Sequence, residues 1–138
     1  MTIQPSTPSI TTLDNGLRVV TSSIPHVETV TCGLWVDVGA RHEPASINGI
    51  SHVLEHMAFK GTTRRSALEI AEEIEAVGGY LNAYTSREAT AYHARILKEN
   101  VPLAIDILGD ILQNSTFDAT EFAREQSVII QEIGQTYD

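Results

Sequence analysis

The sequence predicts an α+β fold: a mainly antiparallel sheet with helices packed on one face. Three observations predict it. Short β-rich stretches are joined by tight turns, and four runs carry apolar residues at helical spacing. The third is chemical: metal-binding residue types sit on the first and last of those helices, which must be neighbours to act together.

Residues 1–9, rich in Ser, Thr and Pro, read as a flexible arm, and residues 10–138 as one module. I-T-T-L and L-R-V-V-T-S-S flank Asn15-Gly16, a dipeptide that favours the left-handed backbone of a hairpin turn. Thr29–Val38 is β-rich and partly alternating, a long strand with Cys32, Leu34 and Val36 on one side. A loop from Gly39 to Pro44 leads to the first helix, with Ser46 or Asn48 as its cap, and that helix ends near Gly61. Ser66 opens a second helix to about Val77, striped by Leu68, Ile70, Ala71 and Ile74 and stopped by Gly78-Gly79. Paired strands come next in L-N-A-Y-T-S and T-A-Y-H-A-R-I-L. Pro102 starts a third helix, with Ala104, Ile107, Leu108, Ile111 and Leu112 at helical spacing, broken at Asn114-Ser115. Asp118 and Glu121 form a capping box for a fourth helix that runs to about Gly134.

Composition narrows the function classes. At 138 residues and 42% apolar the chain can bury one core, and no apolar run approaches the ~20 residues of a membrane span. A net charge of −9 disfavours nucleic acid and mildly favours cationic ligands. The single cysteine, Cys32, excludes an internal disulfide framework. The N-terminal residues show neither a secretory pattern nor an Arg-rich targeting segment, so a bacterial cytoplasm is expected, with the mitochondrial matrix as the alternative.

The chemistry centres on Gly49–Gly61, G-I-S-H-V-L-E-H-M-A-F-K-G. An α-helix turns about 100° per residue, so His52, Glu55 and His56 share one face. Two imidazoles one turn apart can close on a tetrahedral zinc, and a carboxylate beside them can take a proton from a water that the metal holds. The order is that of the H-E-x-x-H metalloprotease motif reversed. Catalytic zinc needs a third protein ligand. The last helix offers Glu125 and Glu132, seven apart and about 20° from eclipsed. Glu132 stands among Val128, Ile129, Ile130 and Ile133, where a carboxylate is costly without a cation or donors. Salt bridges from Glu132 to Arg64, Arg65 or Arg124 would satisfy it equally. His26, His42 and His93 have no partner at metal spacing.

H-V-L-E-H-M-A-F-K-G-T, then G-G-Y-L-N-A-Y-T-S-R-E-A-T-A-Y, then R-E-Q-S-V-I-I-Q-E resemble the pitrilysin family of metalloendopeptidases over residues 11–138. Within it they are most similar to the branch of the mitochondrial processing peptidase catalytic subunit and its bacterial relatives. The resemblance implies one zinc per chain, held by His52, His56 and Glu132, with Glu132 standing 76 positions after His56. It implies Glu55 as general base and Glu125 as an acid supporting a ligand histidine. Asn82 and Ala83 match an edge strand that pairs with the substrate backbone, and Phe59 a residue lining the pocket for the side chain after the cut. The implied substrates are extended peptides or unfolded proteins, presequence-like basic peptides among them. A homologous subunit, or further modules of the same chain, is the implied partner. The family's module continues past Asp138, so the 138 residues alone are expected to bind zinc but to cut peptides poorly or not at all. Two alternatives remain: a non-catalytic scaffold subunit of the same family, and a structural metal site, which usually takes four protein ligands.

Overall fold

The computed structural model describes residues 7–136. Of the expected N-terminal arm, residues 1–6 lie outside the described residues, and Ser9 already opens a strand. In chain order the elements are β1 (Ser9–Thr12), β2 (Arg18–Thr21), β3 (Thr29–Val36), α1 (Ile50–Met57), α2 (Ala67–Glu75), β4 (Tyr80–Thr85), β5 (Thr90–Leu97), α3 (Val101–Gln113) and α4 (Ala119–Thr136).

The strands form two antiparallel sheets. β1 and β2 pair through the turn at Gly16, whose φ of 86° is the left-handed conformation that favours glycine. All eight of their residues are exposed, so this hairpin adds little to the core. The main sheet has the order β3-β5-β4, with Cys32 opposite Ala94 and Ala83 opposite Tyr92. β5 is central, and its Tyr92, Ala94 and Ile96 face a core completed by Ala58, Ile70, Ile74, Ala104, Ile107, Leu108 and Ile111. Trp35, on the strand β3, stays largely exposed and donates from its indole Nε1 to the Tyr84 hydroxyl at 3.2 Å.

Local chemistry explains most helix ends. Ser66 and Glu69 make a reciprocal capping box at the start of α2. Its far end closes with Gly78 at φ 69° and with the Gly79 N–H donating to Ile74 O at 2.8 Å, a Schellman-type stop. Asp118 Oδ1 accepts from the N–H groups of Thr120 and Glu121, whereas the Glu121 carboxylate pairs with Arg124. α4 continues past the expected stop at Gly134 to Thr136. A lone glycine near a helix end is a weak breaker.

Two expectations for α1 need correction. Its cap is neither Ser46 nor Asn48. Glu43 reaches forward six and eight residues, its Oε2 accepting from Gly49 N at 2.6 Å and its Oε1 from Ser51 N at 2.7 Å. Burial raises the Glu43 pKa, but these bonds outweigh it and hold the pKa below the usual carboxylate range. The helix also ends earlier, at Met57, and the chain continues through tight turns to Gly61 at φ 120°. Those turns aim Lys60 towards α4.

One polar cluster fixes the chain after α1 against the end of α3. The Asp110 carboxylate, fully buried, accepts from Thr62 Oγ1 (2.8 Å), Arg65 Nη1 (2.9 Å), Arg64 Nε (3.0 Å) and Asn114 Nδ2 (2.8 Å). Thr63 N donates to Asn114 O and Thr116 N to Gly61 O, so the segments leaving α1 and entering α4 run side by side. Gly39 closes the opposite side. A Cβ there would lie 2.4 Å from Ser86 O and 2.7 Å from Ala89 N, so only glycine lets these loops meet.

Candidate metal centre

α1 and α4 pack together, and their facing sides carry the chemistry. His52 and His56 stack edge to face, with ring centroids 4.7 Å apart and planes at 86°. Their Nε2 atoms are 3.1 Å apart. Glu132 Oε2 reaches across from α4 to within 3.3 Å of His52 Nε2 and 3.5 Å of His56 Nε2. Bonds of about 2.0–2.1 Å at tetrahedral angles put ligand atoms about 3.3–3.4 Å apart. The three observed separations bracket that value, so these residues fit a tetrahedral zinc with one corner left over.

Glu125 lies about two turns nearer the start of α4 and is buried, its side chain 8% exposed. Its Oε2 is 2.8 Å from His56 Nδ1, and its Oε1 is 2.7 Å from Lys60 Nζ. Burial pushes the Glu125 pKa up, yet the bonds from Lys60 and His56 outweigh it and hold the pKa below its ordinary value. An ionised carboxylate only accepts, so His56 Nδ1 is the donor in this contact, which in a neutral ring leaves Nε2 as the acceptor atom facing His52 and Glu132.

Glu55 is half-buried on the same helix. It lines an open cleft of about 510 Å³ together with His52, Ala40 and the 84–87 segment Tyr84, Thr85, Ser86 and Arg87. Tyr92, beneath it in the core, has its pKa pushed up to about 12, by burial first and then by the charge on Glu55. Thr85 Oγ1 donates to Ser51 O at 3.4 Å, tying the end of β4 to the start of α1.

The remaining candidates are not among the three converging ligand residues. Asn82 and Ala83 are on β4, whose outer side has no strand among the described residues. Asn82 is exposed; its Oδ1 accepts from Ala83 N at 2.8 Å and its Nδ2 donates to the Tyr80 hydroxyl. Phe59 is half-buried, 6.3 Å from the Tyr92 ring, and lines a separate pocket of about 220 Å³ between α2 and β4.

Two of the other histidines, His42 and His93, have structural neighbours. His42 Nδ1 accepts from Gly39 N at 3.1 Å, and the His93 ring lies near those of Tyr80 and Tyr84. The arginines that could have paired with Glu132 are engaged elsewhere: Arg64 and Arg65 with Asp106 and Asp110, Arg124 with Glu121. Sequence reasoning missed Glu43, Lys60 and Tyr92. Lys60 carried a usable signal, standing four residues after His56 in the same motif.

Comparison with known proteins points the same way. The chain is 53% identical to a probable mitochondrial-processing peptidase subunit beta of Arabidopsis thaliana, over 92% of this chain and 25% of the relative. It is 52% identical to an uncharacterized zinc protease of Rickettsia felis, over 94% of this chain and 32% of the relative. A protease from Helicobacter pylori superposes with a TM-score of 0.87 at 28% identity, over 94% of this chain and 31% of that one. The chain thus spans about a quarter to a third of the length of these relatives. Among the described residues no helix is long and apolar enough to cross a membrane. The family model described as insulinase, peptidase family M16, matches residues 18–138, and with that match the chain belongs to this family.

Proposed function

We propose that this chain is the zinc-bearing part of a metalloendopeptidase, with His52, His56 and Glu132 as ligands of one zinc and Glu55 as general base. One observation carries the reading. Three ligand atoms from two helices, Glu132 standing 76 residues after His56, converge at 3.1–3.5 Å, the spacing of tetrahedral zinc.

When bound, zinc would supply a Lewis acid that acidifies water and polarises the scissile carbonyl. Glu55 takes the proton of the attacking water and returns it to the leaving amine. Its place in the cleft beside His52 supports both transfers. Glu125 holds the His56 ring by its Nδ1–H, so the imidazole does not turn away when the cleft fills. The open edge of β4 supports binding of an extended peptide by strand addition, with Asn82 and Ala83 on that edge and Phe59 at a side-chain pocket. The net charge of −9 favours basic, presequence-like peptides. Cleavage then draws on further modules or a homologous subunit, since the relatives are three to four times longer and several are named as subunits. A bacterial cytoplasm or the mitochondrial matrix suits this reading, because the relatives include bacterial and mitochondrial proteins.

Equilibrium dialysis against zinc tests the reading. One tightly held zinc per folded chain is the expected result. A folded chain that holds none would remove the enzyme reading in favour of a non-catalytic scaffold.

A further inference from the structure

We infer that Lys60 is a positioning residue of the metal centre: it fixes the Glu125 carboxylate, which in turn fixes the tautomer and the aim of His56. The inference rests on the reading of His52, His56 and Glu132 as a zinc site. A continuous chain of contacts carries it. Lys60 Nζ lies 2.7 Å from Glu125 Oε1, and Glu125 Oε2 lies 2.8 Å from His56 Nδ1. The two carboxylate oxygens therefore serve different donors, and the plane of the group is set from both sides.

A carboxylate held only by a neutral imidazole can rotate about its last torsion, which has a broad, two-fold profile. A second, charge-assisted bond removes that freedom. The Glu125 side chain is 8% exposed, so little water is available to replace the ammonium. Lys60 binds the carboxylate oxygen that His56 does not use, and an ammonium has no lone pair to compete for a metal.

The backbone brings Lys60 there by a specific route. α1 stops at Met57, Lys60 N donates to Met57 O at 3.1 Å, and Gly61 turns the chain at φ 120°. Beyond the turn, Thr62 is anchored on the buried Asp110. The Lys60 backbone thus sits between two fixed points, within reach of Glu125.

The test is a competition titration of zinc against a chromophoric chelator, on the wild type, Lys60→Met, Lys60→Arg, Glu125→Gln and the double variant Lys60→Met/Glu125→Gln. Loss of partners that orient a metal ligand weakens affinity about 10–100-fold. Lys60→Met is expected to lose about tenfold, at the low end because it acts through one more group. Lys60→Arg should recover most of the loss. In the Glu125→Gln background, adding Lys60→Met should change nothing, which a merely structural lysine would not produce. Should Lys60→Met fold poorly, the ¹⁵N–¹H signal of His56 Nδ1–H in zinc-free Lys60→Gln keeps the proposal falsifiable: it should broaden or vanish while Lys60→Arg keeps it, and a wild-type signal in Lys60→Gln overturns the role. Wild-type affinity in Lys60→Met, or equal losses in both backgrounds, overturns it for Lys60 alone. A wild type that binds no zinc overturns it together with the metal reading.

Discussion

Glu55→Gln and Glu132→Gln should separate chemistry from metal binding. Glu55→Gln is expected to keep one zinc and to lose peptide hydrolysis by about 10²–10⁴-fold, the usual contribution of a positioned general base. The amide occupies the same space but cannot take a proton. Glu55 lines the cleft beside His52 without standing among the three converging ligand atoms, so the metal has no reason to leave. Glu132→Gln should do the reverse. It removes the only carboxylate among those three ligands, and zinc affinity should fall by more than the about 10–100-fold typical of losing an outer partner. The measurements are metal content after dialysis and hydrolysis of an extended basic peptide, with whatever further modules cleavage requires. Zinc lost from Glu55→Gln, or fully kept by Glu132→Gln, would reverse the two roles.

The second large effect concerns the scaffold. Asp110→Ala should cost about 3 kcal/mol, the penalty for removing one partner of a buried ionic network. It strips Arg65, itself 12% exposed, of its buried partner, and it leaves the hydroxyl of Thr62 without its acceptor. The urea midpoint should drop with an unchanged slope; a variant within about 0.5 kcal/mol of wild type would sink the claim. Acid should expose the same network. Burial alone raises the Asp110 pKa, but bonds from Asn114, Thr62, Arg65 and Arg64 outweigh it and hold it well below the usual carboxylate range. A depressed folded pKa means the contribution is present above the ordinary aspartate value of 3.8 and is lost as pH falls below it. The exposed Asp106, also depressed by Arg65 and Arg64, works in the same direction. In Asp110→Ala the stability curve should be flatter below that pH.

Features that rest on local rules were legible in the sequence. Asn15-Gly16 does make the hairpin, Ser66 and Glu69 do cap α2, and the β4 and β5 runs pair where their alternation places them. His52, Glu55 and His56 share a helix face because three- and four-residue spacing leaves no choice. What escaped depends on single residues meeting across the chain. Glu43 as the remote cap of α1, the four donors around Asp110 and the Lys60–Glu125 contact carry no periodic signal. The end of α1 differs for a related reason. Gly61 has the local character of a helix stop, yet the helix yields at Met57 to turns that the anchored Thr62 holds in place. The antiparallel strands fall in two sheets, and the β1–β2 hairpin leaves apolar residues such as Ile10 and Val20 exposed.

The docking of α4 has a thermodynamic consequence. Along this 18-residue helix, Glu125 and Ile129 are the buried positions among the described residues. Beyond Ile129, Glu132 reaches the histidines of α1, at 3.3 Å from His52 Nε2 and 3.5 Å from His56 Nε2. A metal that binds only the docked arrangement favours it by about 2.7 kcal/mol at a hundred times its dissociation constant. Zinc should therefore slow amide hydrogen exchange in the second half of α4 and leave β5 unchanged; equal slowing in both, or none in α4, would contradict this. If zinc binds as proposed, metal loading and ordering of the last helix would be a single equilibrium. On that reading a chelator would loosen the later turns of α4, and the free zinc concentration would set the fraction of chains in which they are docked.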